Sequence, residues 1–239
     1  MSSLRPELRL DWCSHAAAKY AVEHWHYSQT PPVGKATKIG VWEDGEFIGA
    51  LIYGAGGGAA TNGQRYGLRR AFDIAELERV ALRHHRSPVT RIVAIANRMM
   101  SRQSPGLRAI VSYADPGAGH HGGIYQGGNW VYVGLTPPDW CIIDKNGRRW
   151  HSRVVQTAAP KMQFGRAKSS IRAEDGERVV LPGKHKYLYP LDDAMRAQLA
   201  PLAKPYPKRA SEPTSVGTGD QPGQGGATPT RTLEDEAAP

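Results

Sequence analysis

Asp115 and Tyr125 stand ten residues apart, and between them the chain carries no Lys, Arg, Asp or Glu. A carboxylate and a phenol are side chains that hold or pass a proton, and their setting suits that use. Ile110 and Val111 lead into Ser112-Tyr113-Ala114-Asp115-Pro116-Gly117, so the acid falls where an apolar strand opens into a loop. A rigid sheet aims side chains at such a point while the loop leaves them reachable. Asp-Pro-Gly also builds an ordinary turn, and both readings of Asp115 stay open here. Tyr125 likewise fits a catalytic phenol or a core tyrosine of a short helix.

The elements that must position these residues follow from local pattern. Ser14 to His24 predicts a helix with Ser14 as its N-cap. Two apolar runs, Ile39–Glu43 and Glu46–Tyr53, joined by Asp44-Gly45, predict a hairpin with a tight primed turn. Leu77–Leu82 predicts a strand. Ser87-Pro88 predicts a cap and first position for a helix reaching about Arg102, with Ile92, Ala96, Met99 and Met100 as its buried face. Leu107–Ala114 and Trp130–Leu135 predict strands around a short helix at His121–Gln126, and Asp144-Lys145-Asn146-Gly147 a further turn. A strand-helix-strand unit after an antiparallel hairpin implies a mixed α/β sheet.

Composition bounds the function. The 239 residues, 40% hydrophobic with six Trp and ten Tyr, supply one sizeable core. The formal charge is +9, but residues 210–239 carry −4, leaving +13 on the first 209. Such a body attracts polyanions, nucleic acid before membrane. Cys13 and Cys141 have neither disulfide nor metal spacing. No stretch reaches the ~20 apolar residues of a membrane span, and Arg5, Glu7, Arg9 and Asp11 stand where a signal peptide would be apolar. The expectation is a soluble protein of the cytoplasm, the host's if phage-encoded. The Gly-, Pro-, Ser- and Thr-rich residues from 210 onward predict a disordered acidic tail.

Several separated motifs recur in order: His26-Tyr27-Ser28, Glu76-Leu77-Glu78-Arg79-Val80-Ala81-Leu82, Ser112-Tyr113-Ala114-Asp115-Pro116, and Gly122-Gly123-Ile124-Tyr125-Gln126 with Asn129-Trp130. In this order the chain resembles the bacteriophage Mom family of DNA adenine-modification proteins, within the GNAT-like acyltransferase superfamily. The resemblance implies an α/β fold, a GNAT-like, mixed, mostly antiparallel sheet flanked by helices, with a basic C-terminal extension. Its expected divisions are a catalytic domain at 1–145, a basic extension packing on it at 146–209, and the tail at 210–239. It implies addition of a carbamoylmethyl-type group to the exocyclic amine of adenine in double-stranded DNA, protecting phage DNA from restriction.

Carried over by motif, the catalytic set is Asp115, Tyr125, Arg79, His26 and Tyr27. An adenine amine is a weak nucleophile, so Asp115 is expected to accept or hold its proton, and Tyr125 to protonate a leaving thiolate. Arg79 is expected to fix a phosphate or oxyanion, and to hold Asp115 ionised if the two are close. His26 and Tyr27 are expected to stack on a flipped base. The duller readings are an aromatic core cluster for His26-Tyr27 and a surface charge for Arg79.

The donor expected from the superfamily is acetyl-CoA or a related acyl donor, along Val80 and Leu82 with its diphosphate at Arg86 and Ser87. The superfamily's glycine-rich phosphate loop is replaced by Arg83-His84-His85-Arg86-Ser87-Pro88, which has no glycine. His84, His85, His120 and His121 come as adjacent pairs, a poor geometry for one ion, so no metal ligands are assigned. Gly54-Ala55-Gly56-Gly57-Gly58 lacks the Lys of a P-loop and reads as a flexible loop. Arg79–Ala114 holds seven arginines and no acid, with Arg91, Arg98 and Arg102 on one helical stripe; Lys145–Arg172 holds eight basic residues and no acid. Within the second run, Arg148, Arg149, Arg153, Lys161, Arg166 and Lys168 are the expected DNA contacts. The alternatives are a GNAT N-acyltransferase acting on a protein or small amine, and a non-catalytic DNA-binding protein on a degenerate scaffold.

Overall fold

The computed structural model describes residues 5–55, 64–68, 73–156, 162–163, 166–167 and 170–208. In chain order the elements are β1 (Leu8–Trp12), α1 (His15–Trp25), β2 (Ala36–Glu43), β3 (Glu46–Gly54), β4 (Ile74–Leu82), α2 (Val89–Gln103), β5 (Ala109–Ala114), α3 (Gly123–Gln126) and β6 (Val131–Leu135). There follow β7 (Asp139–Asp144), β8 (Arg149–His151), β9 (Val155–Gln156), β10 (Met162–Gln163), β11 (Arg166–Ala167), β12 (Ile171–Arg172), β13 (Gly176–Leu181), β14 (His185–Pro190) and α4 (Asp193–Leu199).

Seven strands form the main sheet in the order β1-β2-β3-β4-β5-β14-β6. Every neighbouring pair is antiparallel except β4 and β5. The architecture is therefore mixed α/β with a mostly antiparallel sheet flanked by helices. At the β2–β3 turn Asp44 and Gly45 both have positive φ, 51° and 85°, as a type I′ turn requires. Ser14 caps α1 by accepting from Ala17 N–H at 3.1 Å. Its buried residues Ala18, Ala21 and Val22 press on Ala50, Ile52 and Ala81. The opposite face of the sheet receives α2 through Ile92, Val93, Ala96 and Met100, against Leu51, Tyr53, Leu77 and Ile110. Met99 lies only at the margin of this core.

One expectation changes. The helix after Ser87 starts at Val89, and its N-cap Pro88 makes no side-chain cap bond; the Ser87 amide is taken by another group, described below. The residues expected to pack on the domain as an extension also supply a strand of its main sheet. After a small sheet ordered β13-β7-β8, β14 enters the main sheet between β5 and β6, pairing antiparallel with both. The chain divides into units 1–208 and 209–239. The expected acidic tail, 210–239, lies outside the described residues, as does most of the Gly54–Gly67 loop. Among the described residues no helix is long and apolar enough to cross a membrane.

Candidate active site

The two parallel strands β4 and β5 stay together only from Ile74–Ala109 to Glu76–Val111. Beyond that point they part, and the Leu77 carbonyl is met by a side chain: Ser112 Oγ donates to it at 2.8 Å. The Ser112 and Tyr125 hydroxyls are 2.7 Å apart. Ser112 has one proton for these two neighbours, so while it rests on the carbonyl Tyr125 donates to Ser112.

A bulge sets which side chains face the opening. Tyr53 pairs with Leu77 but Ile52 with Arg79, so β4 has one residue more than β3 around Glu78. The extra residue shifts the alternation. Cross-strand partners share a face; Glu76 is opposite Gly54 and Arg79 opposite Ile52, which puts both on the face that packs α1. His26 and Tyr27, immediately after α1, lie on that side too.

Arg79 ties this corner together. Its Nε and Nη2 donate to Thr30 O at 3.3 and 3.2 Å, and its Nη1 to Glu78 O at 2.7 Å, so the guanidinium fastens the loop bearing His26 and Tyr27 to β4. His26 Nδ1 accepts from Ser28 N–H at 3.1 Å and lies 2.8 Å from Ser28 Oγ, which leaves the ring proton on Nε2. Burial, with Arg79 and His120 as neighbouring charges, lowers His26 to about 4. At neutral pH it is an uncharged donor. Tyr27 is 59% exposed and touches His26 and His120 with ring centroids 4.4 and 5.0 Å apart.

Tyr125 is 7% exposed, its ring held between Trp130 and Tyr187. Burial pushes it to about 12, partly offset by Ser112 and reinforced by nearby Tyr27 and Glu76. The phenol is therefore a core ring that keeps its proton, with its hydroxyl beside Ser112. The turn leading to it is fixed by Tyr187 Oη donating to His121 O at 2.6 Å, and by Gln126 Nε2 donating to the same carbonyl at 3.2 Å. Gly122 has φ 87°, and a Cβ there would fall 2.4 Å from the Tyr187 ring. Gly122→Ala is expected to cost about 1–3 kcal/mol, from left-handed strain plus overpacking. Thermal denaturation followed by circular dichroism measures it as a drop in Tm.

Asp115 reaches this group through its neighbours: Lys184, which also acts on Glu76, and His120, whose N–H donates to its carbonyl. Its Oδ1 accepts from Gly117 N–H at 2.9 Å, capping the 3-10 turn Pro116–Ala118, and its Oδ2 pairs with Lys184 at 3.3 Å. The cation paired with its carboxylate is thus Lys184, where the sequence offered Arg79 if the two were close. The carboxylate whose charge acts on the phenol is Glu76, named in its motif but not among the expected site residues. Burial raises it to about 6 and Glu78 adds to the rise, with Arg79, Lys184 and Arg153 opposing. Its signal in the sequence is an acid set between Ala75 and Leu77, in a strand that also carries Glu78 and Arg79.

Val80 and Leu82 lie on the stretch of β4 past the parting. Arg86 and Ser87 are occupied: Glu43, 8% exposed, accepts from Arg86 N–H at 2.9 Å and Ser87 N–H at 2.8 Å. The Arg86 guanidinium pairs with Asp44 and lies 3.9 Å from Glu43. These two amides are therefore not open to a phosphate. Among the described residues no three His, Cys, Asp or Glu side chains converge as metal ligands.

Of the expected DNA contacts, Arg148 stacks over Trp150 at 4.0 Å, Arg149 is an exposed residue of β8, and Arg153 is exposed close enough to act on Glu76. Arg166 falls in β11, its side chain outside the description, and Lys161 and Lys168 lie outside the described residues.

A family model described as the Mom protein family matches residues 7–208. No curated protein sequence matches. Among solved structures, FeeM, an N-acyl amino acid synthase from uncultured soil microbes, is 12% identical over 84% of this chain and 99% of its own, with a TM-score of 0.45. An acetyltransferase of Bacillus subtilis in complex with CoA is 9% identical over 79% of this chain and 100% of its own, TM-score 0.42. A GNAT family acetyltransferase from Elizabethkingia anophelis with acetyl-CoA bound is 8% identical over 77% and 98%, TM-score 0.38.

Proposed function

The chain belongs to the Mom protein family, and from that premise we propose that it is a transferase that adds a carbamoylmethyl-type group to the exocyclic amine of adenine in phage DNA, guarding it against restriction. The observation that carries the reading is the grouping of Glu76, Arg79, His26, Tyr27 and Tyr125 where β4 and β5 separate. The adenine amine attacks the methylene carbon of an activated donor, forming the N–C bond as the bond to the leaving group breaks. Glu76, ionised above about pH 6, takes the amine proton. Tyr125 gives its proton to the leaving group, and Ser112 turns to donate to the phenolate that results. The exposed ring of Tyr27 is a stacking surface for an extruded base, since an amine inside a duplex is out of reach. Arg79 positions the Tyr27 loop, and Asp115 holds Lys184 at the rim.

Lys184 and Arg153 both act on Glu76, so the opening is bordered by cations. Arg91, Arg98 and Arg102 are exposed along α2, and no carboxylate among the described residues forms an ion pair with them. These features support docking on a phosphate backbone. Log affinity for duplex DNA should fall linearly with log salt, and replacing Arg148, Arg149 and Arg153 by Ala should flatten the slope by about three units. A flat slope in the unsubstituted protein sinks the docking surface.

Mass spectrometry of nucleosides from DNA of cells expressing the chain tests the reaction. A new adenine adduct that disappears with Glu76→Gln and Tyr125→Phe is the expected result. Unmodified DNA together with an acylated protein or small amine would point to an N-acyltransferase instead.

A further inference from the structure

The turn before α2 is where the superfamily resemblance places the diphosphate of a CoA donor, and the protein has filled it with its own carboxylate. Glu43 comes from the far end of β2, is 8% exposed, and takes the amides of both Arg86 and Ser87. Those N–H groups belong to the loop in which the superfamily's phosphate-binding glycines would stand, just before the helix that starts at Val89. The guanidinia are committed as well: Arg83 pairs with Glu46, and Arg86 with Asp44 and Glu43. Two cations thus face three carboxylates, and the turn is net negative. His85 Nε2, buried here without a hydrogen-bond partner, offers too little for a group charged on each phosphate.

We infer that the donor is a small molecule without a nucleoside diphosphate, and that Glu43 is the permanent anion of this position, locking the β2–β3 hairpin to the start of α2. The inference deepens the proposed function, on which it rests for there being a donor at all. The product agrees with it. A carbamoylmethyl group is joined to nitrogen through a methylene carbon, whereas a thioester acyl donor would leave an amide.

Isothermal titration of the full chain with CoA, pantetheine and inorganic pyrophosphate tests the inference without DNA, so it stands or falls separately from adduct formation. Pyrophosphate should show no heat of binding at millimolar concentration, and CoA should bind no better than pantetheine. CoA binding about tenfold or more tighter than pantetheine, or displacement of CoA by pyrophosphate, overturns it. Glu43→Gln keeps an acceptor for one amide and removes the charge. If it folds, it should gain about tenfold in pyrophosphate affinity; a folded variant that still ignores pyrophosphate overturns the role given to Glu43.

Discussion

Glu76→Gln should reduce adenine adduct formation by about 10²–10⁴-fold while making the protein more stable at neutral pH. The two effects have one cause. Burial and the neighbouring Glu78 raise the Glu76 carboxyl from 4.5 to about 6, so the folded protein binds more protons than the unfolded chain between those values. Stability then declines as pH rises across that window, and the full cost is present above 6. Glutamine has no charge to bury. The variant should gain about 1–2 kcal/mol above pH 6, a gain that fades below pH 4.5. Activity of the unsubstituted protein should rise through about pH 6, and the residual activity of the variant should lose that limb. Denaturant melts at pH 4 and pH 8, set beside single-turnover rates, measure both. A stability loss at pH 8 would place Glu76 in a supporting ion pair and remove it from the chemistry.

Tyr125→Phe should lower the rate by about 10²-fold and leave DNA affinity unchanged. The ring keeps its contacts with Trp130 and Tyr187, and only the hydroxyl beside Ser112 is lost. One buried hydrogen bond is worth about 1 kcal/mol, so a small fall in Tm should accompany a large fall in rate. With the phenol raised to about 12, the unsubstituted enzyme should show no loss of rate from Tyr125 ionisation below about pH 10. A variant that keeps full activity would make Tyr125 a core ring alone.

Much of this geometry is legible from short-range pattern. Asp44-Gly45 between two apolar runs specifies its turn, Ser14 its cap, and the spacing of Ile92, Ala96 and Met100 the inward face of α2. What escapes local pattern depends on a phase shift or on distant pairing. Period-two alternation puts Glu76 and Arg79 on opposite faces of β4, and only the bulge around Glu78 reunites them. Glu43 and Ser87 meet across 44 positions, and nothing near Ser87 announces that its amide is already claimed. Asp115 shows the converse: the motif that marks it as a candidate acid is also a turn signature, and the turn is what its Oδ1 serves. His185–Pro190 opens on His185 and Lys186 directly after Lys184, so its apolar character is masked until it is seen between β5 and β6.

That late strand constrains how the molecule is made. β6 finds its place only through β14, more than fifty residues downstream, so a ribosome must finish nearly the whole described chain before the sheet can close. Until then the nascent polypeptide carries two unmatched strand edges, at β5 and β6, and a stalled or truncated product ending before His185 is a candidate for aggregation and not for a smaller working enzyme.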